Sequence, residues 1–331
     1  MTRKSNIFGG FIMTAGLFLA PSLVQSAEGP YHALKEIAVG GAASWDYLTV
    51  DEVGRRLYVS HGTEVVVIDI DKDVVSGVIS NTPGVHGLAL APDLQRGFSS
   101  NGRENKASII DLKTLATLSR VETGANPDGM LYEPGRQEVY MFNGRGQSVT
   151  VIDAKEGKVV ATIPLPGKPE FGQADPKAGR VYNNIEDKSL VVAIDTKKHE
   201  VVNSWPLAPG EEPTGMAIDL AHHRLIIGCG NQKMVVMDST SGKVVTTVPV
   251  GKGVDAAAFD PGTQLAFTSN GADGTVTVAH EDSPDAFTVV QTLKTERGAR
   301  TMALDPKTHK IYLASGQRGV ANSFKVLVYG Q

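Results

Sequence analysis

The sequence predicts an all-β protein, a seven-bladed β-propeller of four-stranded antiparallel blades, and three observations carry that prediction. First, an apolar run closing on a marker position recurs seven times, at Asp51, Ala91, Glu133, Asp175, Asp219, Asp260 and Asp305, with spacings of 40, 42, 42, 44, 41 and 45 residues. All but Ala91 of these markers are acidic, and proline often follows. Second, a bulky apolar residue stands seven positions beyond each marker: Tyr58, Phe98, Tyr140, Tyr182, Ile226, Phe267 and Tyr312. Third, the last unit ends on a third strand at 324–329, while 32–40 resembles the fourth strand at 243–251. A four-stranded unit of about 40 residues, repeated radially, is a propeller blade. The N-terminal strand is therefore expected to complete the last blade and close the ring, which removes an unpaired sheet.

Each element follows from local chemistry. The marker segment is the first strand of a unit, and a turn at Asp-Pro leads to a second, such as 56–60. A hairpin gives a third, such as 148–153, and a fourth follows, such as 158–164. β-Branched and aromatic residues fill these runs, and glycine, proline, asparagine and aspartate separate them. The 36 glycines and 17 prolines are spread along the chain, which fits many turns rather than one linker.

The N-terminal end reads differently. Arg3 and Lys4 precede an uncharged, mostly apolar stretch at 7–20, and small residues follow at Ser22, Ser26 and Ala27. That is the pattern of an export signal cleaved after Ser26 or Ala27. Fourteen residues are too few for a comfortable bilayer span, so no membrane span is expected after signal removal. Residues 1–27 are thus expected to be a signal peptide and 28–331 a single propeller domain. Cys229 is the only cysteine, so no internal disulfide can form. A net charge of −4 gives no reason to expect duplex nucleic acid as a partner.

Three segments carry a family resemblance: Leu-Tyr-Val-Ser at 57–60, Val-Ile-Asp at 151–153 and Gly-Lys-Val-Val at 242–245. They resemble the YVTN-type repeats of bacterial periplasmic YncE-like propellers, over essentially all of 31–330. The resemblance implies a seven-bladed, periplasmic protein without an obligatory cofactor, and leaves activity open, because propellers host unrelated functions. The seventh unit departs by lacking the Val-Ile-Asp ending, and the sixth carries Val-Ala-His at 278–280.

Candidate site residues follow from register. Five positions before each marker stand Asp46, His86, Asp128, Glu170, Thr214, Asp255 and Arg300, all expected at one mouth of the central channel. With histidine neutral, four acids and one arginine give this ring a formal −3. Crowded carboxylates disfavour one another's charge and attract protons, cations or an arginine. The alternative is that these residues end turns in a wet channel, which Pro127, Pro169 and Pro213 fit.

A second loop set pairs a residue with glycine: His61 with Gly62, Asn101 with Gly102, Asn143 with Gly144, Cys229 with Gly230, Asn270 with Gly271, and Ser315 with Gly316. These read as tight hairpins with positive φ, the asparagines being turn residues. His61, Arg103 and Arg145 are rim candidates, with Arg318 nearby, where arginines could grip an acid group. Trp45, Tyr47 and Phe171 flank the ring and are expected to plug the channel or pack between blades. His222 and His223 read as exposed turn residues. Cys229 lacks an evident base, and no zinc spacing joins it to His61.

No nucleophile elbow, P-loop, dinucleotide fingerprint or haem-attachment motif is present. The leading expectation is an exported, periplasmic propeller that binds a small polar molecule, a cell-wall fragment or a protein partner at the channel mouth. No cofactor is evident. The alternative is a lactonase- or lyase-like enzyme, with a divalent metal among Asp46, Asp128, Glu170 and Asp255 and His86 as acid or base. Single-stranded nucleic acid, which needs a basic groove with aromatics, fits an acidic throat poorly.

Overall fold

The computed structural model describes residues 1–2 and 29–331. The expected signal peptide, 1–27, falls almost entirely outside them. Among the described residues twenty-eight strands form seven four-stranded sheets, paired antiparallel throughout. Blades 1 to 6 each run inner to outer in chain order, from Leu48–Asp51 at the start of blade 1 to Ala286–Lys294 at the end of blade 6. Blade 7 is composite. Its inner strands are Met302–Asp305, Lys310–Ser315 and Lys325–Gly330, and its outermost strand is His32–Ala38. His32 pairs with Gly330 and Ala38 with Lys325. The ring is closed as the repeat predicts.

Apolar side chains are buried between blades rather than around one centre. Leu57, Val59 and Ile68 of blade 1 pack with Tyr312, Val326 and Val328 of blade 7. Equivalent clusters fill the other six junctions. The second-strand residues seven beyond the markers are among the most buried in the chain, with Phe98, Tyr140, Phe267 and Tyr312 at 0% exposure. Third strands have a continuously apolar middle, as in Glu64–Asp69, because blades cover both faces. Fourth strands are largely exposed, as in Lys158–Pro164, where Ile163 alone is buried.

The ends of the first strands define two faces. On the marker face, residues just before a second strand reach the preceding blade. Arg55 Nη2 donates to Asp305 Oδ2 of blade 7 at 2.7 Å. His309 Nδ1 lies 2.6 Å from Asp260 Oδ2 of blade 6. Gln137 Nε2 donates to Asp93 Oδ2 of blade 2 at 2.9 Å. A channel cavity of about 730 Å³ opens on this face beside Asp51 and Pro92, with Tyr47, Met130, Phe171 and Met302 in its lining. Tyr47 and Phe171, ring centroids 5.4 Å apart, belong to the packing between it and the opposite mouth. Among the described residues no helix is long and apolar enough to cross a membrane.

Candidate functional site

Five first strands open on the same irregularity. Register shifts fall between Val85 and Leu88, Pro127 and Met130, Pro169 and Gly172, Pro213 and Met216, and Val254 and Ala257. A bulge of this kind re-aims the side chain it contains. The re-aimed residues include His86, Asp128, Glu170, Thr214 and Asp255. Asp46 and Arg300 stand two residues ahead of the shorter first strands of blades 1 and 7.

Buried polar side chains of the second strands hold this backbone in place. Ser60 Oγ accepts from the Asp46 N–H at 2.8 Å, and Ser269 Oγ from the Ala256 N–H at 3.1 Å. The Asn183 amide donates to the Glu170 and Phe171 carbonyls at 3.0 and 3.1 Å. Periodicity alone did not reveal these supports, because a serine inside a strand carries no sign of its partner.

The ring residues meet in two groups. His86 Nδ1 donates to Asp46 Oδ2 at 2.7 Å and lies 3.3 Å from Asp128 Oδ1. Arg300 donates to Asp255 and, at 3.4 Å, to Asp46 Oδ1, so Asp46 bridges the histidine and the arginine. Glu170 is held by Lys168, whose Nζ lies 2.6 Å from Oε1 and also donates to Glu186. Sequence register missed both Lys168 and Glu186, since neither occupies the repeated position. Lys168 adds one positive charge and Glu186 one negative, so the formal −3 of the mouth stands. Thr214 is neutral and donates to the Val254 carbonyl at 3.1 Å.

These charges are only partly compensated. Burial, then the Asp128 charge, push the Glu170 carboxyl up to about 8 against the pull of Lys168. Burial takes Asp128 to about 6, with His86 pulling down and Asp46 pushing up. Burial takes Asp255 to about 6 in the same way, against Arg300. Burial disfavours the charged His86 ring, but the Asp46 hydrogen bond and the Asp128 charge outweigh it and raise its pKa. The Tyr47 phenol is held well above its ordinary range, first by burial and then by Asp128, Glu170, Asp46 and Asp255. One side chain thus feels all four carboxylates.

The residue–glycine loops differ from the expectation. Only Gly62 has positive φ, at 66°. Gly102, Gly144, Gly230, Gly271 and Gly316 do not, because the left-handed residue comes later in the turn, as at Asn105 and Gln147. At Gly102 the reason for glycine is space: a Cβ there would lie 2.7 Å from His86 Nε2. At Gly271 it would lie 2.7 Å from Arg300 Cβ. Asn101, Asn143 and Asn270 are not surface turn residues either. All three are fully buried, and their amides reach the third strand at Ser108, Thr150 and Thr277.

The rim candidates separate. Arg103 and Arg145 are exposed. His61 instead stacks on Phe324 with centroids 4.6 Å apart, its Nε2 2.7 Å from the Ala42 carbonyl and its Nδ1 3.2 Å from Glu64. Trp45 stacks on the same Phe324 at 5.5 Å, so both pack the seam between blades 7 and 1. Cys229 is buried, and burial pushes its thiol up to about 12, which leaves it inert. His222 is exposed as expected but not idle: its Nδ1 lies 2.6 Å from Asp219 Oδ2 and 3.3 Å from Glu281 Oε1.

Comparison with known structures bears on the architecture. The chain is similar to Kuenenia stuttgartiensis hydrazine synthase, with a TM-score of 0.74 and 15% identity over 88% of this chain and 96% of that one. It is also similar to a chain in the crystal structure of a mitotic checkpoint complex, with a TM-score of 0.76 and 13% identity over 98% and 99%. These likenesses establish the fold. At such identity they say nothing of activity. No protein-family model matches the chain, and no curated protein matches it.

Proposed function

We propose that this chain is an exported, periplasmic binding propeller of the YVTN-repeat, YncE-like kind, whose channel mouth takes a small polar ligand bearing a positive charge. One observation carries the reading. Asp128, Glu170 and Asp255 face one mouth and are all held above the ordinary carboxylate range, although Arg300, Lys168 and His86 stand among them. Under-compensated carboxylates in a partly buried site gain most from a cation that enters and is desolvated there. Exposed Arg103 and Arg145 favour an acid group on the same ligand, as on a cell-wall peptide fragment with a free amine and a carboxylate. Export rests on the charged and apolar pattern of residues 1–27.

A second reading is a divalent metal enzyme, and a specific geometry favours it: donor atoms of Asp46, His86 and Asp128 lie within 4.8 Å of one another. Asp46 is already engaged by the Arg300 guanidinium, with which a dication would compete for one of its three ligands. That competition favours the organic cation. A thermal-shift comparison of basic dipeptides, neutral sugars and dicarboxylates tests the choice. Stabilisation by the dipeptides alone, lost in Glu170→Gln, is the expected result. Stabilisation by dicarboxylates alone would exclude it.

A further inference from the structure

We propose that Asp219, His222 and Glu281 form a binding site for a divalent transition ion of the zinc type, at the junction of blades 5 and 6 on the marker face. The site is separate from the channel mouth. Asp219 ends the first strand Pro213–Asp219 of blade 5, five residues beyond the ring position, roughly 17 Å away at ~3.3 Å per residue.

The unexplained group is Glu281. It lies in the third strand Thr275–Ser283 of blade 6, is 2% exposed, and neither carboxylate oxygen accepts a hydrogen bond. Oε1 comes within 3.3 Å of His222 Nδ1, an ion-pair distance without hydrogen-bond alignment. Asp219 is 3% exposed, and its Oδ2 lies 2.6 Å from the same Nδ1. Two buried acids therefore share one imidazole nitrogen, and one acid has no hydrogen-bonding partner. A buried carboxylate left in that state costs several kcal/mol unless it is protonated or meets a cation.

Neighbouring junctions show what is missing. Asp305 is met by Arg55 and Asp260 by His309, each from the residue just before a second strand. In blade 6 that residue is Gln264, which brings no charge, and Glu281 accompanies it through its backbone N–H at 2.8 Å from the Gln264 carbonyl. Arg224 also crosses this junction, but its guanidinium is taken by Asp238 and Asp285, so among the described residues His222 is the one cation within ion-pair distance of Glu281.

The donor set selects the class of ion. Asp219, His222 and Glu281 each offer one ligand atom, all within 4.8 Å of one another. Tetrahedral zinc, with ligands at about 2.0–2.2 Å, needs such a triangle. Two carboxylates neutralise the dication, and an imidazole nitrogen favours it over magnesium or calcium, which prefer oxygen alone. His222 is 41% exposed, which leaves a path from solvent and a fourth position for water. On binding, the Nδ1 proton passes to solvent and the nitrogen lone pair turns to the metal. The bound ion joins blade 5 to blade 6 through two chain segments.

The test is calorimetric titration of zinc into the chelator-treated full chain, with Glu281→Gln, His222→Ala and a His86→Ala/Asp128→Asn control. The expected result is one equivalent bound, weakened at least about tenfold in each of the first two variants and retained in the control. His222 is exposed, so its variant folds even where Glu281→Gln does not. Cobalt titrated into wild type and His222→Ala gives a second readout, with an absorption band expected only in wild type. No zinc binding, equal binding in wild type and His222→Ala, or loss only in the His86/Asp128 control overturns the proposal.

Discussion

Glu170 shows how one residue reports on the whole mouth. Its carboxyl is held near 8 by burial and by Asp128, although Lys168 lies 2.6 Å away. A carboxylate raised by folding binds its proton more tightly in the native state, so its contribution to stability declines as pH climbs from about 4.5 to 8. Raised Asp128 and Asp255 act in the same direction, and so does raised His86, whose favourable contact is lost as it deprotonates. Glu170→Gln is therefore expected to stabilise the protein by about 2 kcal/mol at pH 8 and to change little at pH 5, read by urea melts at both. Equal effects at the two pH values would show that Glu170 is not under-compensated. Gly102→Ala probes the space for His86. Its Cβ would fall 2.7 Å from Nε2 and 3.0 Å from Asn126 Oδ1, so a loss of about 1–3 kcal/mol and a shifted His86 titration by NMR are expected.

At the scale of elements, register made much of the site legible. Asp46, His86, Asp128, Glu170, Asp255 and Arg300 occupy equivalent repeat positions, and equivalent positions around a ring share a mouth whatever their separation in sequence. Lys168 and Glu186 were illegible because they lie off that register, one two residues ahead of Glu170 and one in the turn Glu186–Lys188. The glycines were misread because a residue–glycine pair looks the same whether it supplies a left-handed turn, as at Gly62, or room for a ring side chain, as at Gly102 and Gly271. Glu281 was hidden because blade 6 carries a nine-residue third strand that outruns the repeat. The closing strand was plain from the unpaired seventh unit. Tyr31, just ahead of that strand, is 2% exposed, stacks edge-on against Phe267 at 5.1 Å and donates to the His309 carbonyl at 2.5 Å. Tyr31→Ala is expected to cost about 3–5 kcal/mol, lowering the melting temperature by roughly 5–10 °C. Deleting 29–40 should lower it further. An unchanged melt for the deletion would contradict closure by this strand.

The whole molecule is held by packing between blades, reinforced by buried ionic contacts on the marker face. Asp305 is fully buried and receives two hydrogen bonds from Arg55, at 3.1 and 2.7 Å. Breaking one partner of such a pair strands a buried charge, so Arg55→Ala is expected to cost about 3–5 kcal/mol by urea denaturation. Lys35→Ala, which removes the half-exposed partner of Asp73, should leave the melt nearly unchanged. Burial opposes the Asp305 charge, but Arg55 and Thr308 pull its carboxyl below the ordinary range. Its contribution is present above that range and lost as pH falls through the lowered value, opposite in sign to the channel mouth. The marker face is thus the acid-sensitive latch, and the mouth carries the unmet charge.

The central claim, that this unmet charge takes a cationic ligand, is tested most directly by titrating a lysine-containing dipeptide into the full chain at pH 5.5 and pH 8. The wild type should bind more tightly at pH 8, because the carboxylates must release their protons to receive the amine. The Asp128→Asn/Glu170→Gln variant should lose both the binding and its pH dependence while melting no lower than wild type. Equal affinity in wild type and variant would contradict the claim and leave the mouth a hydrated channel.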